Sequence, residues 1–125
     1  VERPDVRVWQ VSPRSDRTGL RLSGEPLRFA GRTADVPSHG LVAGAVQVPG
    51  DGRPIVLLAN HQTTGGYPVA DVVCAADLPL LAQVRPGAAV RFIPVDVPAA
   101  RAAYEERVAA LLGDVTSAAG DPRDR

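Results

Sequence analysis

Between two apolar stretches runs Asn60-His61-Gln62-Thr63-Thr64-Gly65-Gly66-Tyr67-Pro68, nine residues whose types suit recognition of a small polar group. Gln62, Thr63 and Thr64 supply uncharged donors and acceptors of the kind that bind an amide, a urea or a carboxylate. Two successive glycines, Gly65 and Gly66, let the backbone approach a ligand closely or take a positive φ. Tyr67 offers an apolar wall with a polar tip. The same residues also fit a loop whose Thr and Gln side chains serve only their own backbone.

Few other residues offer chemistry. His61 and His39 are the only imidazoles, each able to act as a general base or a metal ligand. Two histidines without a carboxylate pattern make a poor metal set, and no metal site is expected. Cys74 lies among Val and Ala, which reads as a buried, inert thiol. Ser38 precedes His39, but no Asp completes a nucleophilic triad in the sequence. Arg17, within Ser15-Asp16-Arg17-Thr18-Gly19, suits a bidentate grip on a carboxylate or a surface pair with Asp16. Gln47 stands on an otherwise apolar stretch, where its amide needs partners; it supports the Gly-rich loop or faces a ligand.

Composition bounds the alternatives. The 125 residues make one domain, and 45% of them are hydrophobic, enough for a core built mainly from Val, Leu and Ala. Fourteen basic residues balance fourteen acidic ones, so the positive excess that nucleic acid or an anionic membrane demands is lacking. Every cation is Arg, because Lys is absent, which removes Schiff-base chemistry and a P-loop lysine. A single Cys excludes a disulfide framework. No apolar run reaches the roughly 18 residues that span a bilayer. Together these fit a cytoplasmic protein. Met is also absent, so the chain reads as a piece of a longer protein or a processed product.

Short strands must position the loop. Ten of the twelve Gly and eleven of the twelve Pro fall in the first 98 residues and cut them into brief segments. Val6 and Val8 alternate with Arg7 and Trp9, Leu20 and Leu22 with Arg21 and Ser23, and Leu27 and Phe29 with Arg28, the period of half-buried strands. Residues 42–48 and 55–59 form a hairpin across Pro49-Gly50-Asp51-Gly52. Residues 69–74 and the Val90 to Ile93 segment add strands. Asp77 N-caps a short helix that places Leu78, Leu81 and Ala82 on one side. Pro98 opens a second helix with Tyr104, Val108, Leu111 and Leu112 on one face and Gly113 as its C-cap. The predicted division is a β domain over 1–98, a packing helix over 99–113 and a flexible tail over 114–125. Six or seven strands with few helices point to a sandwich or a small barrel.

Seven stretches, in order, resemble the C-terminal half of the biotin-dependent carboxyltransferase family. They are residues 15–22, 44–49, 52–58, 62–68 (Gln-Thr-Thr-Gly-Gly-Tyr-Pro), 76–83, 85–87 and 90–92. That family includes the C subunit of 5-oxoprolinase, formerly called allophanate hydrolase subunit 2, and the carboxyltransferase domain of urea carboxylase. The resemblance implies a mainly β, cyclophilin-like β-barrel with one short helix and one C-terminal helix. It further implies a hetero-oligomeric enzyme in which the B subunit, and in bacterial 5-oxoprolinase the A subunit, are the partners.

The implied reaction is ATP-dependent opening of 5-oxoproline to glutamate, with ATP bound elsewhere in the complex and the fragment inactive alone. In the urea carboxylase branch it is transfer of carboxyl from carboxybiotin to urea. Some relatives imply a third role, a regulator that antagonises a kinase inhibitor. Carried onto this chain, the roles are catalysis by His61, Gln62 and Thr64 and orientation of a small amide by Gln47, Gln62 and Thr63. Gly65 and Gly66 give backbone access, Arg17 contacts a carboxylate and Tyr67 walls the site. One position departs from the family pattern: Asn60 stands where an Asp is usual. If that Asp carries charge in catalysis, Asn60 weakens it; if it caps the loop, Asn serves as well.

Overall fold

A computed structural model describes residues 1–30 and 36–119. Its eight strands are β1 (Val8–Val11), β2 (Gly19–Ser23), β3 (His39–Gly40), β4 (Ala45–Gln47), β5 (Ile55–Leu57), β6 (Thr64–Gly65), β7 (Val69–Val72) and β8 (Ala89–Arg91). Two helices join them, α1 (Leu78–Leu81) and α2 (Val97–Ala119), with 3-10 turns at Pro4–Val6 and Ala75–Asp77. Six strands form one antiparallel sheet in the order β7-β4-β5-β2-β1-β8, and β3 pairs with β6 as a separate ribbon. The sheet curls into a half-barrel, with β7 and β8 as its edges among the described residues. This is the mainly β architecture with two helices that the sequence led us to expect.

Alternation along β1 and β2 decides which side chains make the core. Trp9, Val11, Leu20 and Leu22 point inward and meet Val46, Val48, Val56, Leu27 and Leu81. Burial of each such side chain is worth about 1.5–3 kcal/mol. In β1 the phase is opposite to the one the valines suggest: Trp9 is fully buried while Val8 is 58% exposed. The indole has much the larger apolar area, and its Nε1–H donates to the Pro4 carbonyl at 2.9 Å, so burial leaves no orphan donor.

The predicted β4–β5 hairpin forms with Val46 opposite Val56 and Gln47 opposite Ile55. Gly52 closes its turn at φ +74°, donating to the Pro49 carbonyl at 2.9 Å. An added Cβ there would lie 2.6 Å from the Leu27 carbonyl oxygen, so glycine is required on both counts.

Three expectations need correction. Residues 27–29 form no strand: the Leu27 N–H donates to the Gly52 carbonyl and the Arg28 carbonyl accepts from Glu2, bonds to a turn and to the N-terminal segment. Leu27 nonetheless reaches the core. Asp77 sits at the N-cap position of α1 without a side-chain cap bond, and its Oδ2 instead accepts from the Cys74 thiol at 3.4 Å. The last helix does not stop at Gly113 but runs to Ala119; residues 120–125 of the predicted tail lie outside the described residues. A helix-interior glycine costs only about 1 kcal/mol against alanine, too little to end a helix by itself. At its other end Asp96, not foreseen, caps α2 by accepting from the Ala99 N–H at 2.8 Å. Tyr104, Leu111 and Leu112 on α2 are half or more exposed.

Candidate functional site

The Gly-rich segment leaves β5 beside the turn at residues 16–18 and returns to the sheet at Pro68. Asp16 shapes that turn, its Oδ1 accepting from the Thr18 and Gly19 N–H groups at 2.9 and 3.2 Å. The turn then offers its own carbonyls: Thr18 accepts from Leu58 N–H and Arg17 from Asn60 N–H. At the far end the Pro68 carbonyl accepts from Val48 N–H at 2.9 Å. Between these anchors the segment is zipped to residues 36–41. His39 lies opposite Gly65 and Gly40 opposite Thr64. Leu41 N–H donates to Thr63 and Val36 N–H to Gly66. A loop so tied presents its side chains from a held backbone.

Beneath it lies Gln47. Successive strand residues face opposite sides of a sheet, yet Ala45, Val46 and Gln47 of β4 are all buried. Val46 faces the core; Gln47 faces the other way and is covered by the β3–β6 ribbon. The register of β4 against β7 also shifts between Val46 and Gln47, a local irregularity of the kind that re-aims a side chain. Gln47 is 2% exposed, and its Nε2 has no hydrogen-bond partner among the described residues. A buried donor left so costs about 1–3 kcal/mol.

The position of that amide explains Gly65. An added Cβ on Gly65 would stand 2.9 Å from Gln47 Nε2, 2.9 Å from Leu41 Cδ1 and 3.6 Å from Gln62 Nε2. Two carboxamides therefore converge on one glycine, Gln47 from the buried side and Gln62 from the exposed side. Gly66 is held more loosely, with the Val36 carbonyl 3.2 Å from a would-be Cβ.

On the rim, Gln62, Thr63 and Thr64 are exposed, and their side chains make no hydrogen bond among the described residues. The reading in which they merely satisfy the loop's own backbone is thus not what the geometry has. His61 is half-buried, and its Nδ1 lies 2.6 Å from the Gln62 carbonyl. A carbonyl oxygen only accepts, so Nδ1 is the donor of this contact, and in a neutral imidazole Nε2 is then the acceptor. His39 makes the equivalent contact with the Pro37 carbonyl at 3.2 Å. Asn60 makes no side-chain bond among these residues, so it does not cap the loop.

The remaining residues divide between two clefts. Arg17 and Asn60 line one of about 640 Å³, walled by Leu20, Leu58, Leu78 and Pro79. Tyr67 lines a different one, with Arg14, Arg21 and Arg53. Cys74 is half-buried at the start of the turn before α1; burial, and then the Asp77 carboxylate, push its thiol pKa up, away from the thiolate form. Among the described residues no group of His, Cys, Asp and Glu gathers into a metal-binding cluster, and no helix is long and apolar enough to cross a membrane. Sequence reasoning missed Leu41 and the pairing of His39 with Gly65. Their only trace was His39-Gly40-Leu41 standing ahead of an apolar run.

The model of the family described as carboxyltransferase domain, subdomain A and B, matches residues 6–94. The chain belongs to that carboxyltransferase-domain family. Among curated members, the C subunit of 5-oxoprolinase from Escherichia coli is 43% identical over 101 residues, covering 79% of this chain and 32% of that protein. The urea amidolyase of Lachancea kluyveri is 32% identical over 111 residues, 82% of this chain and 6% of that one. The chain thus spans about a third of the length of the 5-oxoprolinase relative it matches. The crystal structure of the Kluyveromyces lactis urea carboxylase, 24% identical, superposes with a TM-score of 0.81 over 86% of this chain and 10% of that one. That likeness shows a shared fold. The relatives it matches are named as an enzyme subunit and an enzyme, each much longer than the matched stretch.

Proposed function

We propose that this domain is the amide-binding part of a protein of the 5-oxoprolinase C-subunit type, which opens 5-oxoproline to glutamate together with the B subunit and, in the bacterial arrangement, the A subunit. The observation that carries the reading is the convergence of the Gln47 and Gln62 carboxamides on Gly65, in a chain 43% identical to a 5-oxoprolinase C subunit. 5-Oxoproline is a cyclic amide with a carboxylate; the neutral donor–acceptor rim suits the amide, and Arg17, in the cleft that Asn60 also lines, is the cation offered to the carboxylate.

Gln62 and Thr63 orient the ring amide, and Gly65 and Gly66 let it approach the backbone. Gln47 holds the floor from beneath. Opening adds water to the ring carbonyl and breaks the ring C–N bond, whose nitrogen takes up a proton. His61, through Nε2, and the Thr64 hydroxyl are the groups for that proton traffic. Arg17 contacts the carboxylate. ATP acts at the level of the complex, and the setting is cytoplasmic. No binding motif for ATP stands in this chain.

A second reading, carboxyl transfer from carboxybiotin to urea, is favoured by the 32% identity to a urea amidolyase. Urea is also a small neutral amide and fits the same rim. Reconstitution of the full-length protein with the A and B subunits separates the two. Glutamate release from 5-oxoproline that consumes ATP supports the first reading. Carboxylation of urea by carboxybiotin, without glutamate release, overturns it. Complex formation with neither activity points to a regulator.

A further inference from the structure

The cleft that takes Tyr67 is lined by three arginines, and nothing in the reading above uses them. Arg14, Arg21 and Arg53 come from three separate segments, the β1–β2 turn, the exposed face of β2 and the β4–β5 turn, and meet around a space of about 430 Å³. Each backbone is anchored by a small polar side chain. Ser12 Oγ accepts from Arg14 N–H at 3.2 Å, Ser15 Oγ from Arg21 N–H at 2.9 Å, and Asp51 Oδ1 from Arg53 N–H at 3.0 Å. The hairpin turn that carries Arg53 is itself locked by Gly52.

The guanidinium groups are left free. The ion pairs among the described residues belong to Arg3 and Arg7, not to these three. Nor does any of their side chains make a hydrogen bond within the described residues. The Ser12, Ser23 and Tyr67 hydroxyls on the walls can also donate. Asp51 is the one carboxylate lining the cleft, and one of its oxygens already accepts from Arg53 N–H. Three guanidinium groups from three directions with a single carboxylate to answer them form a site complementary to an oxyanion.

We infer that this cleft is a binding subsite for a small oxyanion, a phosphoryl or carboxylate group, with Arg14, Arg21 and Arg53 as its donors and Tyr67 as the wall shared with the Gly-rich loop. The inference goes beyond the amide reading and stands without it, because it rests on the arginines alone.

The test is calorimetric titration of the full-length protein with inorganic phosphate, at about 150 mM salt so that diffuse attraction is screened. Saturable binding is expected. Arg21→Gln and Arg53→Gln should each weaken it about tenfold or more, as loss of a charge-assisted donor pair does. Arg28→Gln, an exposed arginine outside the cleft, should leave it unchanged. Arg21→Lys, which keeps the charge but loses the fork, should fall between, with thermal melting to verify that each variant folds. Competition by 5-oxoproline assigns the subsite to a carboxylate, and its failure assigns it to a phosphoryl group; either result keeps the site. Phosphate binding that never saturates, or that is indifferent to Arg21→Gln and Arg53→Gln, overturns the proposal. So does binding restricted to a polyanionic peptide.

Discussion

The floor and the rim of the Gly-rich loop are built from the same residue type and behave as opposites. On the floor, Gln47 is buried, its Nε2 lacks a partner, and the next group, Gly65, has no room for a methyl. On the rim, Gln62 is exposed with a free carboxamide, next to two threonines equally free. The floor therefore carries a cost in stability to hold a shape, while the rim costs nothing and keeps its hydrogen-bonding groups unspent. That separation is what a binding site needs: rigid support below, unspent hydrogen-bonding capacity above.

Substitution can break this contrast at several strengths. The largest effect belongs to Gly65→Ala, whose Cβ would press on both Gln47 and Leu41; a stability loss of about 1–3 kcal/mol is expected in chemical denaturation, as for other overpacked sites. Turnover should fall with it. Gln47→Leu sharpens the contrast because it removes the unpartnered donor while roughly keeping volume. Its stability should be unchanged or higher, since replacing an unsatisfied buried polar group by an apolar one is nearly neutral or favourable. If turnover nonetheless drops, the floor is shaped for function rather than for folding. A large loss of stability would instead mean that Gln47 is an ordinary structural amide.

The rim should show the reverse. Gln62→Ala and Thr64→Ala are expected to lower turnover about tenfold, the scale of one lost neutral hydrogen bond, with stability within about 0.5 kcal/mol of wild type. Full activity in both would remove the rim from the site.

How far these regions could be read from the sequence differs in the same way. The loop itself was legible, because Gly-Gly between Thr and Tyr, bounded by apolar strands, has few uses. Gln47 was legible as an anomaly, one amide in an apolar run. The ribbon that covers Gln47 was not, since β3 has only two residues, His39 and Gly40, too few for any periodicity. The inward turn of Trp9 was missed because alternating valines set the phase, while burial followed the larger side chain. The extension of α2 past Gly113 was missed because glycine was read as a stop, although its cost within a helix is modest. The arginine cleft was invisible for another reason: its three residues lie in three segments, and only the sheet brings them together.

The central claim is that an amide ligand seats on the rim above Gly65. Its most direct measurement is the titration of isotope-labelled full-length protein with 5-oxoproline, followed through the Gln47 and Gln62 side-chain amides and the Gly65 and Gly66 backbone N–H signals. The account predicts saturable shifts at Gln62, Gly65 and Gly66, with a smaller change at buried Gln47. Shifts confined to other parts of the chain, or none at saturating ligand, would contradict it.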